Sequence, residues 1–382
     1  MLPEALGMES KINVDGKDSI AMKVLAVTET PDRPTIESFI GLKRSNLDIT
    51  VICKSGWKYE KLLIENDIET FEIPFSYKFH YSSIKKLRSY LVNKEINIVH
   101  VYTNNGLSNS IFSLYSLKKI KLVAYRGIVG NVSFIDPISW IRFLSPRIDK
   151  IICVCNAIRD YFLAMKPRFL AMTEDKPVTI YKGHKVEWYQ QVANLESLNV
   201  PKDCFVVGCI ANSRPRKGIE YLIGALNYLS DDIPICLLLI GKMDGKKIER
   251  ALKDCKKSEN IIMPGFCDNA PAISAACDAV CLPSIKREGL PRSIIEAMAA
   301  GTPPIVTNSG GSPELVENNK SGIVVPIRDS KAISDAIETL YFNEKLRITL
   351  GENAVDRIKR NFSTEKTINK TLETYSQLFD LE

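Results

Sequence analysis

Short apolar runs alternate along the chain with segments of helical periodicity. In the first half, the runs rich in β-branched residues are 22–28, 49–53, 96–102, 120–125 and 150–154. Strands of a parallel sheet are covered on both faces and therefore form nearly continuous apolar runs, with crossover helices between them. The pattern predicts a parallel sheet with helices on both sides.

The same alternation resumes after a polar stretch at 190–203, and residues 331–379 are helix-rich. The later apolar runs are 205–210, 233–240, 260–263, 279–282, 304–306 and 322–325. We therefore predict an α/β fold of two doubly wound, Rossmann-like domains that face each other across a cleft. The predicted divisions are a loose N-terminal tail at 1–20, a first domain at 21–192, a second at 200–360 and a C-terminal helix at 361–382 that packs back toward the first domain.

The composition is that of a globular protein with two hydrophobic cores. The 382 residues are 45% apolar and 25% charged, which is enough apolar material for two domains. The ten cysteines are scattered without CxxC pairs, which indicates buried thiols in a reducing compartment. No apolar run approaches the roughly 20 residues that span a bilayer, and residues 1–20 lack the apolar core of a signal peptide. We expect a cytoplasmic protein.

Positive charge is concentrated in one part of the chain. The formal net charge is +6, yet residues 75–150 alone carry twelve Lys and Arg against three acidic residues. Within this stretch Ile84, Leu87 and Leu91 recur at helical spacing among cations, as on a helix that lies against anionic lipid. Peripheral contact with the inner face of the plasma membrane is one interpretation, and solvated helix faces are the other. Without a nucleic-acid-binding motif, no nucleic-acid partner is expected.

The most informative motif directly follows the predicted strand 279–282. Its sequence at 283–301, PSIKREGLPRSIIEAMAAG, predicts a tight loop followed by a helix. The backbone amides of Gly289 and Leu290 then lie at the start of that helix, where unpaired N–H groups and the helix dipole favour an anion. A diphosphate is the natural occupant of such a site.

With Glu288 and Glu296 separated by seven residues, this motif resembles the signature of glycosyltransferase family 4, whose members are retaining enzymes of the GT-B architecture. The resemblance implies that Glu288 lies beside the donor sugar and that Glu296 binds the nucleotide ribose; carboxylates accept hydrogen bonds from hydroxyl groups. The alternative is an ordinary helix with a surface glutamate. A Gly-Gly-x-x-Glu segment at 310–314 extends the resemblance. Asp268 and Asn269 resemble the family's loop near the base, or form a plain turn.

A second phosphate contact is predicted in the basic turn after strand 205–210. Guanidinium and ammonium groups there can stabilise the departing diphosphate, and Lys217 matches the family's lysine. The family's arginine lies five residues earlier, where this chain has Asn212, so either Arg214 or Arg216 has to replace it. We assign Lys217 and Arg214 to catalysis and Arg216 to donor binding. A solvated basic turn is the alternative.

The first domain offers weaker candidates for the acceptor side of the cleft. Glu37 and Ser38 lie in a segment that resembles a Ser-Glu-Thr-Phe-Ile type sequence of some family members, and a plain helix start is the alternative. Asn104 and Arg126 follow predicted strands, and loops at the carboxyl ends of parallel strands face the cleft. Arg126 is therefore a candidate for binding a phosphate or the acceptor, and a surface charge is the alternative. His100 lies inside a predicted strand, where a core histidine is the favoured interpretation over a catalytic one.

The resemblance implies a hexosyltransferase-like enzyme (EC 2.4) that moves a sugar from a nucleotide diphosphate sugar to a glycan or lipid-linked acceptor hydroxyl. It also implies retention of anomeric configuration, no cofactor and no metal requirement, with cations in the place of a metal. By analogy, the product belongs to a bacterial surface polysaccharide or lipopolysaccharide. The alternatives are a nucleotide-sugar epimerase of GT-B fold and a non-catalytic subunit that binds nucleotide sugars.

Overall fold

The computed structural model describes residues 22–167 and 172–379, so the tail predicted at 1–20 lies outside the described residues. Within those ranges the chain forms two fully parallel sheets, the first of seven strands and the second of six. The α/β prediction of two doubly wound domains is therefore confirmed.

The first sheet has the strand order β3-β2-β1-β4-β5-β6-β7. Its strands are β1 Lys23–Val27, β2 Asp48–Ile52, β3 Glu69–Phe71, β4 Ile98–Val101, β5 Lys121–Arg126, β6 Lys150–Cys153 and β7 Pro177–Thr179. The order reverses between β1 and β4, which opens a crevice at the carboxyl ends of these two strands.

The second sheet repeats this topology in the order β10-β9-β8-β11-β12-β13. Its strands are β8 Phe205–Ile210, β9 Ile235–Ile240, β10 Ile261–Gly265, β11 Ala279–Leu282, β12 Pro304–Thr307 and β13 Ile323–Val325. Here the reversal lies between β8 and β11. The loops after these two strands carry the basic turn and the Glu288 motif.

Helices cover both faces of each sheet. In the first domain they are α1 Arg33–Arg44, α2 Glu60–Ile64, α3 Tyr81–Asn93, α4 Asn104–Ser113, α5 Pro137–Trp140 and α6 Asn156–Leu163. The later helices are α7 Ile219–Ala225, α8 Lys246–Asp254, α9 Ala270–Ala275, α10 Arg292–Ala300, α11 Ser312–Leu315, α12 Ser330–Phe342, α13 Glu344–Asn361 and α14 Thr364–Ser376. Short 3-10 helices occur at Val186–Tyr189, Leu195–Leu198, Pro215–Lys217, Leu226–Tyr228 and Ser258–Asn260.

The last helix, α14, packs on α1 of the first domain. The ring of Tyr375 is buried there, and its hydroxyl lies 2.7 Å from Nδ1 of His100. The sequence predicted a separate C-terminal helix from residue 361, and α14 begins at Thr364; a further helix break, which was not predicted, occurs at Asn343. The side chain of Asn343 accepts a hydrogen bond from the Leu346 amide, so it ends α12 and caps α13.

The interpretation of Ile84, Leu87 and Leu91 as a lipid-facing surface of α3 is wrong. Leu87 and Leu91 are fully buried in the core of the first domain, and Ile84 is partly buried. The apolar face of α3 therefore packs on the sheet and is not free to contact lipid. In the part of the chain that the structure describes, no helix is both long and apolar enough to span a membrane.

Candidate active site

The loop and helix after β11 form as the motif predicts. Helix α10 begins at Arg292, directly after Pro291, and ends at Gly301, which takes the left-handed conformation with φ 88°. Its residues Ile294, Ile295 and Met298 are buried in the second domain. This packing fixes the preceding loop at the carboxyl end of the sheet, facing the first domain.

Glu288 is the centre of a buried ionic cluster. Its Oε1 accepts hydrogen bonds from Lys217 Nζ at 2.8 Å and from Ser284 Oγ at 3.0 Å, and Arg216 Nη1 lies 3.4 Å away. The Glu288 side chain is 5% exposed. Two cations surround one carboxylate, so the cluster keeps net positive charge that can attract a diphosphate.

The structure distinguishes between Arg214 and Arg216, which the sequence left as alternatives for the second phosphate contact. Arg216 reaches Glu288, whereas Arg214 lines a different depression of about 210 Å³, together with Asp244 and Lys246. The basic turn ends at Gly218, whose φ of 64° and close approach to the Pro283 carbonyl explain the glycine. Arg216 and Lys217 thus face the motif, while Arg214 does not.

Glu296 lies on α10, and its carboxylate pairs with Arg292 Nε at 3.3 Å while only 12% of its side chain is exposed. Burial raises the pKa of Glu296 to about 7, against the opposing effect of Arg292 and with a further contribution from Asp32. Near neutral pH this group can therefore accept a hydrogen bond from a hydroxyl or donate one.

Gly289 and Leu290 bring the motif into contact with the first domain. A Cβ atom at Gly289 would lie 2.3 Å from the carbonyl oxygen of Gly127, in the loop after β5. Leu290 packs against the apolar cores of both domains. The predicted anion-binding loop is therefore also part of the contact between the domains.

Glu314, from the Gly-Gly-x-x-Glu segment, makes a second contact between the domains. Its two carboxylate oxygens accept hydrogen bonds from the amides of Asn156 and Ala157, each at 2.7 Å, and the Tyr181 hydroxyl donates to it at 3.0 Å. A carboxylate of the second domain thus caps helix α6 of the first. No local pattern in the sequence could reveal this pairing of distant residues.

Asp268 and Asn269 lie just before α9 and are exposed. Neither side chain has a hydrogen-bond partner among residues 22–167 and 172–379. Their proximity to a nucleotide base stays a prediction. In those same ranges, no three His, Cys, Asp or Glu side chains converge as ligands for a metal ion.

On the first-domain side, an open cavity of about 490 Å³ lies at the carboxyl ends of β1 to β4. Asn104, a predicted cleft residue, lines it. The sequence interpretation missed two further lining residues, Asn105 and Arg142, whose Oδ1 and Nη2 are 3.0 Å apart. Arg142 lies on a loop 37 residues further along the chain, so nothing in the local sequence marks it.

The other first-domain candidates have structural partners. Glu37 pairs with Lys185 at 3.1 Å, and Ser38 Oγ donates to the Pro34 carbonyl within α1. His100 is buried against Tyr375, and burial lowers its pKa to about 3, which keeps the ring neutral. It is therefore a core histidine, as the favoured interpretation held, and does not line the 490 Å³ cavity.

Arg126 is also turned inward, contrary to its expected role in the cleft. Its guanidinium is buried beside the Phe143 ring, and it donates to the carbonyl oxygens of Ile128 and Gly130. Its donors are thus committed to the loop after β5 and not directed at a ligand. Arg126 shapes this loop, which lies opposite the Glu288 motif.

An unpredicted ion pair joins α1 to the segment that links the domains. Lys182 Nζ lies 2.6 and 2.7 Å from the carboxylate oxygens of Asp32, the N-cap residue of α1. Although burial opposes ionisation, Lys182 lowers the pKa of Asp32 to about 2. The pair fixes the start of α1 beside the linker.

Comparison with known proteins gives a consistent result. Residues 191–357 match the family model of the glycosyl transferases group 1. A GDP-mannose-dependent alpha-(1-6)-phosphatidylinositol monomannoside mannosyltransferase of Mycobacterium tuberculosis is 32% identical over 155 residues, which are 38% of this chain and 40% of that protein. The matched region thus spans about two-fifths of that relative.

Solved structures match almost the whole chain. A glycosyltransferase from Rickettsia africae ESF-5 superposes with a TM-score of 0.79 at 21% identity, covering 94% of this chain and 99% of that one. Anabaena Alr3699/HepE in complex with UDP-glucose has a TM-score of 0.73 at 20% identity, covering 93% and 100%. The fold is therefore that of the GT-B glycosyltransferases, and the family match over the second domain supports a glycosyltransferase.

Proposed function

We propose that the chain is a retaining glycosyltransferase that transfers a sugar from a nucleotide diphosphate sugar to an acceptor hydroxyl. The observation that carries the proposal is the cluster of Glu288, Lys217 and Arg216, in contact with the first domain through the same loop. A site with excess positive charge between two Rossmann-like domains suits a nucleotide whose diphosphate is the leaving group.

In this proposal Lys217 and Arg216 bind the donor diphosphate beside Glu288. As the bond between the anomeric carbon and the β-phosphate oxygen breaks, negative charge develops on that phosphate, and the two cations stabilise it. The new bond forms from the acceptor oxygen to the anomeric carbon, and the acceptor proton passes to the departing phosphate. Glu296, which lies on α10 eight residues after Glu288, is assigned to the ribose hydroxyls.

The acceptor is assigned to the cavity at the carboxyl ends of β1 to β4. Asn104, Asn105 and Arg142 supply hydrogen-bond donors and acceptors suited to sugar hydroxyl groups, and Phe75 offers an aromatic face. We propose no metal requirement, because Lys217 and Arg216 supply the positive charge at the leaving group. Titration in EDTA tests this point directly.

We further propose peripheral contact with anionic membrane through residues 77–85, which are the segment before α3 and the exposed side of its first residues, not through the buried face of α3. Tyr77, Phe79 and Tyr81 are 69%, 53% and 81% exposed, and the exposed cations Lys78 and Lys85 accompany them. Aromatic rings and lysines are the side chains that favour the membrane interface. Phe75, which lines the acceptor cavity, immediately precedes this segment, so a lipid-linked acceptor of a surface glycan can approach from the membrane.

The base of the donor nucleotide is not assigned. The name of one similar protein gives GDP-mannose, and the structure of another contains UDP-glucose. We would titrate uridine, guanosine and adenosine diphosphate sugars by calorimetry in EDTA. The variants are Lys217→Ala and Glu296→Ala, with Arg250→Ala on exposed α8 as the control. We expect one donor to bind, about 100-fold more weakly to Lys217→Ala and unchanged to Arg250→Ala.

Binding that is lost only when EDTA is present contradicts the metal-free site, and binding that ignores both site variants contradicts the site itself. Product analysis then separates the alternatives. An epimerase converts the bound donor without any acceptor, whereas a non-catalytic subunit leaves the donor intact with every acceptor. A transferase releases the nucleoside diphosphate and joins the sugar to an acceptor.

A further inference from the structure

Two loops face each other across the cleft, one from each domain. The loop after β5 passes Gly127 and Gly130, and the loop after β11 passes Arg287 and Gly289. Gly127 lies opposite Gly289, and the side chain of Arg287 runs over Gly130, with Nε 3.6 Å from the position that a Cβ atom there would take. Arg287 thus extends from the donor motif onto the acceptor domain.

The backbone holds Arg287 in an unusual conformation. Its φ is 63°, in the left-handed region that a long side chain rarely adopts. Such strain persists only where the surrounding structure enforces it, and it is concentrated at ligand sites. Here it directs the side chain over Gly130 while Glu288, the next residue, turns inward to Lys217.

The guanidinium of Arg287 has no partner in the part of the chain that is described. It forms no hydrogen bond, ion pair or ring contact with residues 22–167 or 172–379, and the side chain is exposed. Arg126, which the sequence suggested for this role, is instead committed to the carbonyls of the facing loop. Arg287 is therefore an available cation that lies over the first domain, at Gly130.

We propose that Arg287 binds a phosphate group carried by the acceptor substrate. The inference rests on the proposed function and names the chemical class of its acceptor. Guanidinium binds such groups through paired, charge-assisted hydrogen bonds. The donor diphosphate is assigned to Lys217 and Arg216, whereas Arg287 points over the first domain, whose residues 75–150 carry twelve cationic against three acidic residues.

The test measures phosphate binding to the full chain after its donor site has been filled. The protein is saturated with the nucleoside diphosphate that binds in the donor titration, and inorganic phosphate, glycerol 3-phosphate and glycerol are then titrated by calorimetry. Arg287→Gly removes the guanidinium and accepts the left-handed backbone without strain. Arg287→Lys keeps the positive charge. Arg250→Ala, which removes an exposed arginine from α8, is the control for the loss of one positive charge.

We expect both phosphate compounds, but not glycerol, to bind the loaded wild type. Arg287→Gly should weaken that binding at least tenfold, Arg287→Lys by less, and Arg250→Ala not at all. The inference is overturned if phosphate does not bind, if it binds Arg287→Gly as tightly as wild type, or if Arg287→Gly weakens only the nucleotide, which would make Arg287 a donor ligand.

The proposed function fails separately, at the first step, if no nucleotide binds. The phosphate titrations are then made on the free protein, and equal affinity of wild type and Arg287→Gly again overturns the inference. Thermal unfolding of each variant checks that it is folded before its affinities are compared.

Discussion

The two walls of the cleft are built from the chain in different ways. In the second domain two segments supply the site: residues 279–301 provide β11, the loop with Glu288 and the helix with Glu296, and the turn Pro215–Lys217 provides Arg216 and Lys217. In the first domain the cavity is lined by short pieces from Thr28 to Arg142, each following a different strand or lying in a distant loop. Each of the two second-domain segments can be identified from its own sequence, whereas a wall assembled from many short pieces depends on the fold.

The contacts between the walls depend on residues still further apart. Glu314 and the Asn156 amide are separated by 158 positions, and Gly289 lies against Gly127. These contacts join the local motif to the assembled wall. Substitutions in these contacts, or in one wall alone, test whether the activity and stability of one wall depend on the other.

The largest effect is expected from Gly289→Ala. Its Cβ atom would meet the Gly127 carbonyl oxygen at 2.3 Å, so the two walls have to move apart. A displacement of about 1 Å in a catalytic site costs about 100-fold in rate. We expect kcat/KM for transfer to fall by about that factor while the protein remains folded.

The control for this change is Gly56→Ala, since a Cβ atom at Gly56 has nothing within 4 Å. Unlike Gly289, Gly56 has a positive φ, so this control adds backbone strain without a steric clash. Its activity should equal that of wild type. Wild-type kcat/KM in Gly289→Ala would show that the walls need not touch during the reaction, and the donor wall would then act alone.

A test confined to the second-domain wall uses the pH dependence that Glu296 confers on the free energy of unfolding. Burial raises its folded-state pKa to about 7 from the ordinary 4.5, so between these pH values the folded protein holds the proton more tightly than the unfolded chain does. The stability linked to the protonated group is present below this range and is lost as pH rises through 7. Glu296→Gln cannot ionise and keeps its stability.

Between pH 5 and 8 we therefore expect wild type to lose about 2 kcal/mol of unfolding free energy relative to Glu296→Gln. Urea unfolding at a series of pH values measures this difference. Glu352→Gln, an exposed carboxylate on α13, controls for the loss of one negative charge. A constant difference between wild type and Glu296→Gln would mean that Arg292 keeps the carboxylate ionised throughout.

The sequence could predict as much of the molecule as local patterns determine. Strands β8 and β11 were predicted with their observed bounds, and the loop and helix after β11 followed from glycine, proline and apolar spacing. Strands β3 and β7 were missed, because each is a three-residue edge strand in which at most one residue is buried. Such strands form by pairing with a longer neighbour, and they carry little apolar signal of their own.

The candidate site divides in the same way. Glu288 and Lys217 were named as candidates because each lies in a local motif that resembles the glycosyltransferase signature, while the choice of Arg216 over Arg214 required the three-dimensional path of the basic turn. Arg126 had been expected in the cleft because it ends a strand, but its side chain points inward and holds the following loop. Position along a strand determines where a backbone ends, not where a long side chain points.

A smaller effect is expected from Glu314→Gln, which changes the contact between the walls without a steric clash. The amide group can accept from one of the α6 amides but places its NH2 against the other. Losing a helix cap of this kind costs about 1 to 2 kcal/mol. The control is Glu249→Gln, in the exposed first turn of α8, and urea unfolding measures the free energy of unfolding of both variants. If Glu314→Gln loses no more unfolding free energy than Glu249→Gln does, the cap contributes nothing to joining the domains.

The smallest effect concerns the outer side of the assembled wall. Tyr77→Ser combined with Phe79→Ser removes two exposed rings beside the acceptor cavity, whereas Phe342→Ser removes a ring that is 67% exposed on α12 of the second domain. If the first domain meets anionic lipid, cosedimentation with phosphatidylglycerol vesicles at low salt should weaken about fivefold in the double variant, because interfacial burial of each ring contributes modestly. Phe342→Ser should leave it unchanged. Equal binding of all three proteins would show that the aromatic segment has no part in membrane contact and that the two domains do not differ in this respect. Binding that persists with neutral vesicles at high salt would show that the contact does not depend on anionic lipid.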